Sequence, residues 1–277
     1  MKIVVGISEV AGDHPALEWA TRYGKGQQAA IELVHVVDTT AGHITEDIRE
    51  QTLLAAEEKL RDVARAAQDA TSRLTVESDI RVGSPVNELI AAADGADLLV
   101  IGAHPEERYD GAGRRAVRIA RLAPCSVVVA PSSIIPEGSG VVVGIDGSDG
   151  AQLALEFAAE FADRFDESLT VLLAWGHPES WGIIQPDLIV AEPAEEDLLL
   201  VAEAIAGLAE RYPDLVIRSE VSAARPERGL YAASVGARML VVGSRGHHTL
   251  AKALLGSTSE ELVAELPCAV AVIREAD

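Results

Sequence analysis

The chain is short of positive charge. Its 277 residues carry 23 Lys and Arg against 44 Asp and Glu, a formal net charge of −21. Residues 1–131 hold 14 basic and 20 acidic side chains and the remainder holds 9 and 24, so both halves are negative. Affinity for nucleic acid comes mainly from neutralising phosphates, and this balance argues against such a partner. No run approaches the ~18 apolar residues of a membrane-spanning helix. The first residues read as a strand rather than a signal peptide, so no membrane partner and a cytoplasmic location are expected. There are only two cysteines, Cys125 and Cys268. They open the last strand of each half, and in a reducing compartment they read as buried small hydrophobes, not as a bridge.

Catalytic signatures are scarce as well. The seven histidines show no metal-ligand spacing. His247-His248 are adjacent residues, which rarely chelate one ion, and read as loop surface. Neither half offers a Ser/His/Asp set at a strand-to-helix elbow. The acidic run Asp187, Glu192, Glu195, Glu196 and Asp197 enters a helix whose positive end it suits. No catalytic residue and no protein metal site are expected.

What the chain does have is Gly243-Ser244-Arg245-Gly246, then nine residues, then Gly256-Ser257-Thr258. The stretch follows an apolar run, Met239 to Val242, that reads as a buried strand, and it ends where a helical pattern begins near Ser257. Glycines at such a junction allow positive φ and close approach of a ligand. Successive free N–H groups there can form an anion-binding concavity, to which a helix start adds donors and a positive dipole end. Ser257 and Thr258 suit helix capping or phosphate contact. No lysine follows the last glycine, so this is not a Walker loop. A tight, capped strand-to-helix loop with no ligand fits the glycine spacing too.

The chain also repeats itself. Lys2–Ile7 matches Gly140–Ile145, Asp97–Gly102 matches Arg238–Gly243, and Pro124–Val129 matches Pro267–Val272. The Pro/Ser/Gly-rich joint 131–139 reads as a linker, giving two domains, 1–131 and 140–277, each of ordinary size. In the second, strands are expected at Val141–Asp146, Leu169–Trp175, Leu215–Val221, Met239–Gly243 and Ala269–Ile273. Helices are expected at Ala151–Phe165, Ala194–Tyr212, Glu227–Val235 and Ser257–Leu266. The first repeats this, with strands near Ile3–Ile7, Ile31–Val37, Thr75–Arg81, Leu98–Gly102 and Val127–Ala130. Near-continuous apolar strands separated by helices imply α/β domains, each an open five-stranded parallel sheet covered on both faces. Ligands of such sheets bind beyond the carboxyl ends of the strands, where strand order reverses. Asp146 and the Gly243 loop both fall there.

A first strand ending Val-Gly-Ile-Asp146-Gly-Ser, a late G-x-x-G-x9-G-S loop and a terminal Pro-Cys-x-Val strand together resemble the universal stress protein family, in a tandem two-domain form. The resemblance spans nearly the whole chain and implies Rossmann-like, adenine nucleotide α-hydrolase-like domains. Its ATP-binding branch implies the following roles. Asp146 accepts hydrogen bonds from adenine or ribose, with Gly144 leaving room beside it, and Trp175 contacts the adenine. Gly243, Ser244, Arg245 and Gly246 line the ribose and inner phosphates. Gly256, Ser257 and Thr258 hold the terminal phosphates, with Mg as a companion ion. Each has a plainer reading: Asp146 opening a turn or capping a helix, Trp175 in the core, Arg245 solvated.

The first half departs from this pattern. Ser8-Glu9 replaces Asp146-Gly147, and Gly102-Ala103-His104-Pro105 replaces Gly243-Ser244-Arg245-Gly246. Proline removes a donor and cannot take positive φ. Gly113-Arg114 stands where Gly256-Ser257 would be, and Glu106, Glu107 and Asp110 add negative charge. The N-terminal site is therefore expected to be degenerate. Arg114, Arg115, Arg118 and Arg121 fit an exposed helix face better than an anion site. The functional expectation is a nucleotide-dependent regulatory protein, at most a weak ATPase, whose state is read by an unidentified protein partner. Its two domains are expected to pair through their last strands as a pseudo-dimer, and whole chains to pair again as a homo-oligomer. The alternatives are a slow nucleotide hydrolase or transferase, and a structural partner-binding protein with vestigial pockets.

Overall fold

The computed structural model describes residues 1–8, 14–38, 46–71, 74–103, 111–131, 138–174, 194–245 and 255–275. The chain divides into two compact units, one running from Met1 to Ile134 and the other from Ile135 to Glu275.

The first unit contains β1 (Lys2–Ile7), α1 (Pro15–Gly24), β2 (Ala30–Asp38), α2 (Glu46–Ala70), β3 (Thr75–Gly83), α3 (Pro85–Ala92), β4 (Leu98–Ala103), α4 (Gly111–Leu122) and β5 (Ser126–Pro131). Its strands lie in the order β3-β2-β1-β4-β5, all parallel. The second contains β6 (Val141–Ile145), α5 (Asp149–Arg164), β7 (Leu169–Ala174), α6 (Glu195–Arg211), β8 (Ile217–Ser222), α7 (Pro226–Ser234), β9 (Met239–Gly243), α8 (Ser257–Glu265) and β10 (Ala269–Ile273). Its order is β10-β9-β6-β7-β8, again parallel. Both are the α/β sheets that the alternation of apolar runs and helical patterns predicts.

The central strands are buried on both faces because helices cover both. Met239 to Val242 of β9 and Val141 to Val143 of β6 are all buried. Burying each such Val, Leu or Met contributes about 1.5–3 kcal/mol relative to exposure. Pro85 and Pro226 sit in the first turn of α3 and α7, where a missing N–H costs nothing. Helix α5 carries an alanine-rich stripe, with Ala151, Ala154, Ala158, Ala159 and Ala162 buried, and packs against β6, β9 and β10. Small side chains bring that helix close to the sheet, a proximity that shapes the site.

In each unit the chain runs outward from the first strand to the third, then crosses back to place the fourth beside the first. The strand-order reversal therefore falls between β1 and β4 in one unit and between β6 and β9 in the other. It is the position where open parallel sheets receive ligands.

Candidate functional site

At the carboxyl end of β6 the chain turns through Asp146, Gly147 and Ser148 into α5. Gly147 has φ +80, a left-handed conformation that glycine adopts without steric cost. Asp146 is exposed, and its Oδ1 accepts from the Ser148 amide at 3.0 Å and from the Ser148 hydroxyl at 2.6 Å. The Ser148 oxygen in turn caps α5, accepting from Ala151 N at 3.2 Å, and lies 3.4 Å from the Arg245 carbonyl. Asp146 thus opens the turn and Ser148 caps the helix. The sequence reading singled out the aspartate and missed the serine.

At the end of β9, Gly243 meets the first turn of α5 backbone to backbone. A Cβ on Gly243 would stand 2.7 Å from the Gly150 carbonyl carbon and oxygen, and one on Gly150 would stand 2.8 Å from the Arg245 oxygen. The missing side chain of Gly243 makes room for the α5 backbone and that of Gly150 for the Arg245 carbonyl, which lets strand and helix approach this closely. Ser244 follows, 2% exposed, with its amide on Ile273 O at 2.8 Å and its carbonyl receiving the Gly256 amide at 2.9 Å. Ser259 is buried in α8 and donates to Gly243 O at 2.7 Å, so the start of α8 is pinned to the end of β9. These bonds gather Asp146, Ser148, Arg245 and Gly256 at one edge of the sheet.

Helix α8 starts without a cap. Gly256 occupies the N-cap position and supplies no side-chain acceptor. Exposed Ser257 and half-buried Thr258 open the helix. The first amides of a helix have no partner within it, and here no N-cap side chain reaches back to them. Gly256 itself has φ −64 and ψ 148, which any residue adopts, and a Cβ there would meet no described residue closer than 3.8 Å. Neither backbone strain nor packing calls for glycine at this position.

Gly144 has a different reason from the one the sequence suggests. A Cβ on it would lie 2.9 Å from Leu230 Cδ1 and 3.0 Å from Cδ2. The space beside the strand is filled by a leucine of α7, so the glycine serves helix–sheet packing and leaves no room for a base on that side. Gly6 repeats the arrangement with Leu89 of α3 at 3.2 Å. Trp175, Gly246 and the His247-His248 pair lie outside the described residues.

The equivalent edge of the first unit is built differently. Ser8 stands where Asp146 does, and Glu9, His104 and Pro105 fall outside the described residues. A Cβ on Gly102 would meet none of the described residues within 4 Å. The connection after β4 spans 104–110, against 244–256 after β9, and Gly113 and Arg114 are already inside helix α4. His35, opposite Ile7 in the register, has Nδ1 2.8 Å from the Ile7 carbonyl, and since a carbonyl only accepts, the ring nitrogen donates. The second unit has Leu173 at that place.

Among the described residues no group of three or more His, Cys, Asp and Glu side chains is placed to hold a metal ion. None of the described helices is long and apolar enough to cross a membrane. Both cysteines are buried and neither forms a disulfide. Burial pushes the Cys268 thiol up to about 12, offset in part by a hydrogen bond with the Leu240 backbone.

The architecture recurs in known proteins. Universal stress proteins Rv2005c and Rv2623 of Mycobacterium tuberculosis are each 30% identical to this chain. The first aligns over 97% of this chain and 96% of its own length, the second over 99% and 96%. The crystal structure of a universal stress protein from Archaeoglobus fulgidus superposes over 100% of this chain and 97% of its own, with a TM-score of 0.73 at 20% identity, a likeness of fold. The family profile matches twice, over residues 1–131 and 140–274. With two matches in tandem and full-length relatives of the same kind, the chain belongs to the universal stress protein family.

Proposed function

We propose that the C-terminal unit binds an adenine nucleotide, ATP with Mg, and that its occupancy rather than its turnover is the output. The observation that carries this reading is Gly256, a glycine that neither φ nor packing requires, at the head of an uncapped helix. A side chain there would fill the space in front of the first amides of α8. Its absence keeps open a concavity of backbone donors at a positive helix end, which suits a phosphate.

In this reading the amides and hydroxyls of Ser257 and Thr258 hold the terminal phosphates. Gly243, Ser244, Arg245 and Gly246 line the inner phosphates and ribose, with Arg245 supplying the one cation of that run. Asp146 accepts from ribose or adenine, and Trp175 lies on the adenine side. Gly144 acts indirectly, by seating Leu230 and so fixing the line of β6. Mg would be carried by phosphate oxygens and balance their charge. The chain acts as a regulator with little or no hydrolysis, and the N-terminal unit, with Ser8 in place of the carboxylate, binds no nucleotide.

The test is to denature freshly purified protein, identify the released small molecules by mass spectrometry with stoichiometry, and titrate ATP into the emptied chain. One ATP per chain is expected. Two per chain would overturn the assignment of the N-terminal site as degenerate. Nothing released, together with no heat on ATP titration, would overturn the proposal. Multiple turnovers with excess nucleotide would favour a hydrolase instead.

A further inference from the structure

Helix α4 is the basic anomaly of an acidic protein. Its twelve residues hold Arg114, Arg115, Arg118 and Arg121 and no acid, in a chain of net charge −21. Arg115, Arg118 and Arg121 are exposed, and Leu122 beside them is 45% exposed. Helix α6 is the converse. It holds Glu195, Glu196, Asp197, Glu203 and Glu210 against a single Arg211, and it exposes Leu198 at 49% and Leu199 at 58%. Ala202 and Ala206 are exposed on the same side, opposite buried Val201 and Leu208.

The exposed leucine pair is particular to the second unit. Val76 and Ile217 hold equivalent places in the two sheets. Counted back from them, Leu198 and Leu199 correspond to Glu57 and Glu58 of α2, both exposed. The first unit thus shows water a charged pair where the second shows an apolar one rimmed by carboxylates. An apolar centre with a charged rim is the anatomy of a protein contact, and small residues at positions 202 and 206 let a second helix approach closely.

We propose that this face of α6 docks on α4 of a second copy of the chain. Charge complementarity selects the occupant: the chain itself offers a helix of four arginines beside an exposed leucine. The pattern also selects direction. Antiparallel helices that place Leu122 against Leu198 and Leu199 set Arg118, one turn back, opposite Glu203. Parallel helices in that register would run most of α4 past the start of α6 at Glu195 and leave little of the two faces in contact. The antiparallel arrangement also brings the negative end of α4 to the positive end of α6. The contact is heterologous, a different patch from each copy, and does not depend on the nucleotide reading.

Sedimentation equilibrium on the full chain tests it. Self-association is expected that weakens with added salt, since its rim is ionic. Arg118→Glu and Glu203→Arg should each weaken it by roughly tenfold or more, because like charges then face each other. The double variant Arg118→Glu with Glu203→Arg should restore it. An equimolar mixture of the two single variants should associate where neither does alone, since one carries an intact α4 and the other an intact α6. Leu199→Asp should abolish association while leaving the circular dichroism melting curve unchanged. A wild-type chain that stays monomeric at about 100 μM, weaker than most specific contacts, would overturn the proposal. So would variants that associate as the wild type does, or a double variant that fails to recover while still folded.

Discussion

Gly102 and Gly243 hold equivalent places near the ends of β4 and β9, yet one meets none of the described residues and the other stands against a helix backbone. A Cβ on Gly102 would have no neighbour within 4 Å among the described residues, whereas on Gly243 it would stand 2.7 Å from Gly150. The same residue type at the same place in a repeated fold is thus a free choice in one unit and a packing requirement in the other. Where β9 and α5 touch through paired glycines, the loop beyond is bound into the sheet by Ser244, Ser259 and Ser148. Only one of the two units keeps that edge together with the long 244–256 connection that a phosphate cradle needs.

The sharpest way to break the comparison is to add one methyl group to each glycine. Gly243→Ala should cost the C-terminal unit about 3 kcal/mol or more, because the obstructing atoms are backbone and have no rotamer to move. Gly102→Ala should change stability by less than about 0.5 kcal/mol. Urea titration followed by peptide-resolved hydrogen exchange separates the two units, whose unfolding need not be a single transition. Equal effects would mean that the two strand ends do not differ as described.

A substitution at Gly256 then separates fold from binding. Gly256→Asp should leave the urea midpoint unchanged, since the site accommodates a Cβ and its φ is ordinary. It should lower ATP affinity by roughly a hundredfold, because a carboxylate would sit where phosphate is drawn. Unchanged affinity would remove the cradle from the proposal. A smaller contrast is expected at the first strands. Gly144→Ala should cost about 1–2 kcal/mol by pushing on Leu230, and Gly6→Ala less, because its neighbours stand off by 3.2 Å rather than 2.9 Å.

The smallest effect concerns Cys268. Its folded thiol holds its proton to about 12, above the ordinary value of 9.0, so the folded state binds that proton more tightly than the unfolded chain. The resulting stabilisation is complete below about pH 9 and is lost as pH rises toward 12. In the native protein at pH 8, Cys268 should resist a thiol reagent until the C-terminal unit is unfolded. Fast labelling under native conditions would contradict the burial.

Much of this was legible in the sequence because local signals and buried runs coincide. Met239–Gly243 and Ala269–Ile273 are strands with the bounds their apolar runs predict. Helix α5 starts at Asp149, two residues before the expected Ala151, because Ser148 caps it. Strand β8 starts at Ile217, not Leu215, because the Leu215 amide closes a turn on Tyr212 O after α6. What the sequence could not convey is which glycine serves which master. Gly144 faces Leu230, 86 positions further on, and Gly243 faces Gly150, 93 positions back. No spacing rule along the chain reports such distances. The ligand-facing candidate is recognised only after packing has accounted for the others, and among the described glycines of this edge Gly256 is the one left over.

The hydroxyl of Ser148 has one proton and two acceptors within reach, Asp146 Oδ1 at 2.6 Å and the Arg245 carbonyl at 3.4 Å. In this structure the shorter distance directs the hydroxyl's hydrogen bond to the carboxylate, which accepts it. A single hydrogen atom therefore sits between the adenosine end of the proposed site and its phosphate end. In the proposed site, a donor that displaced Ser148 from Oδ1 would leave the Arg245 carbonyl as the other acceptor in reach of that hydroxyl.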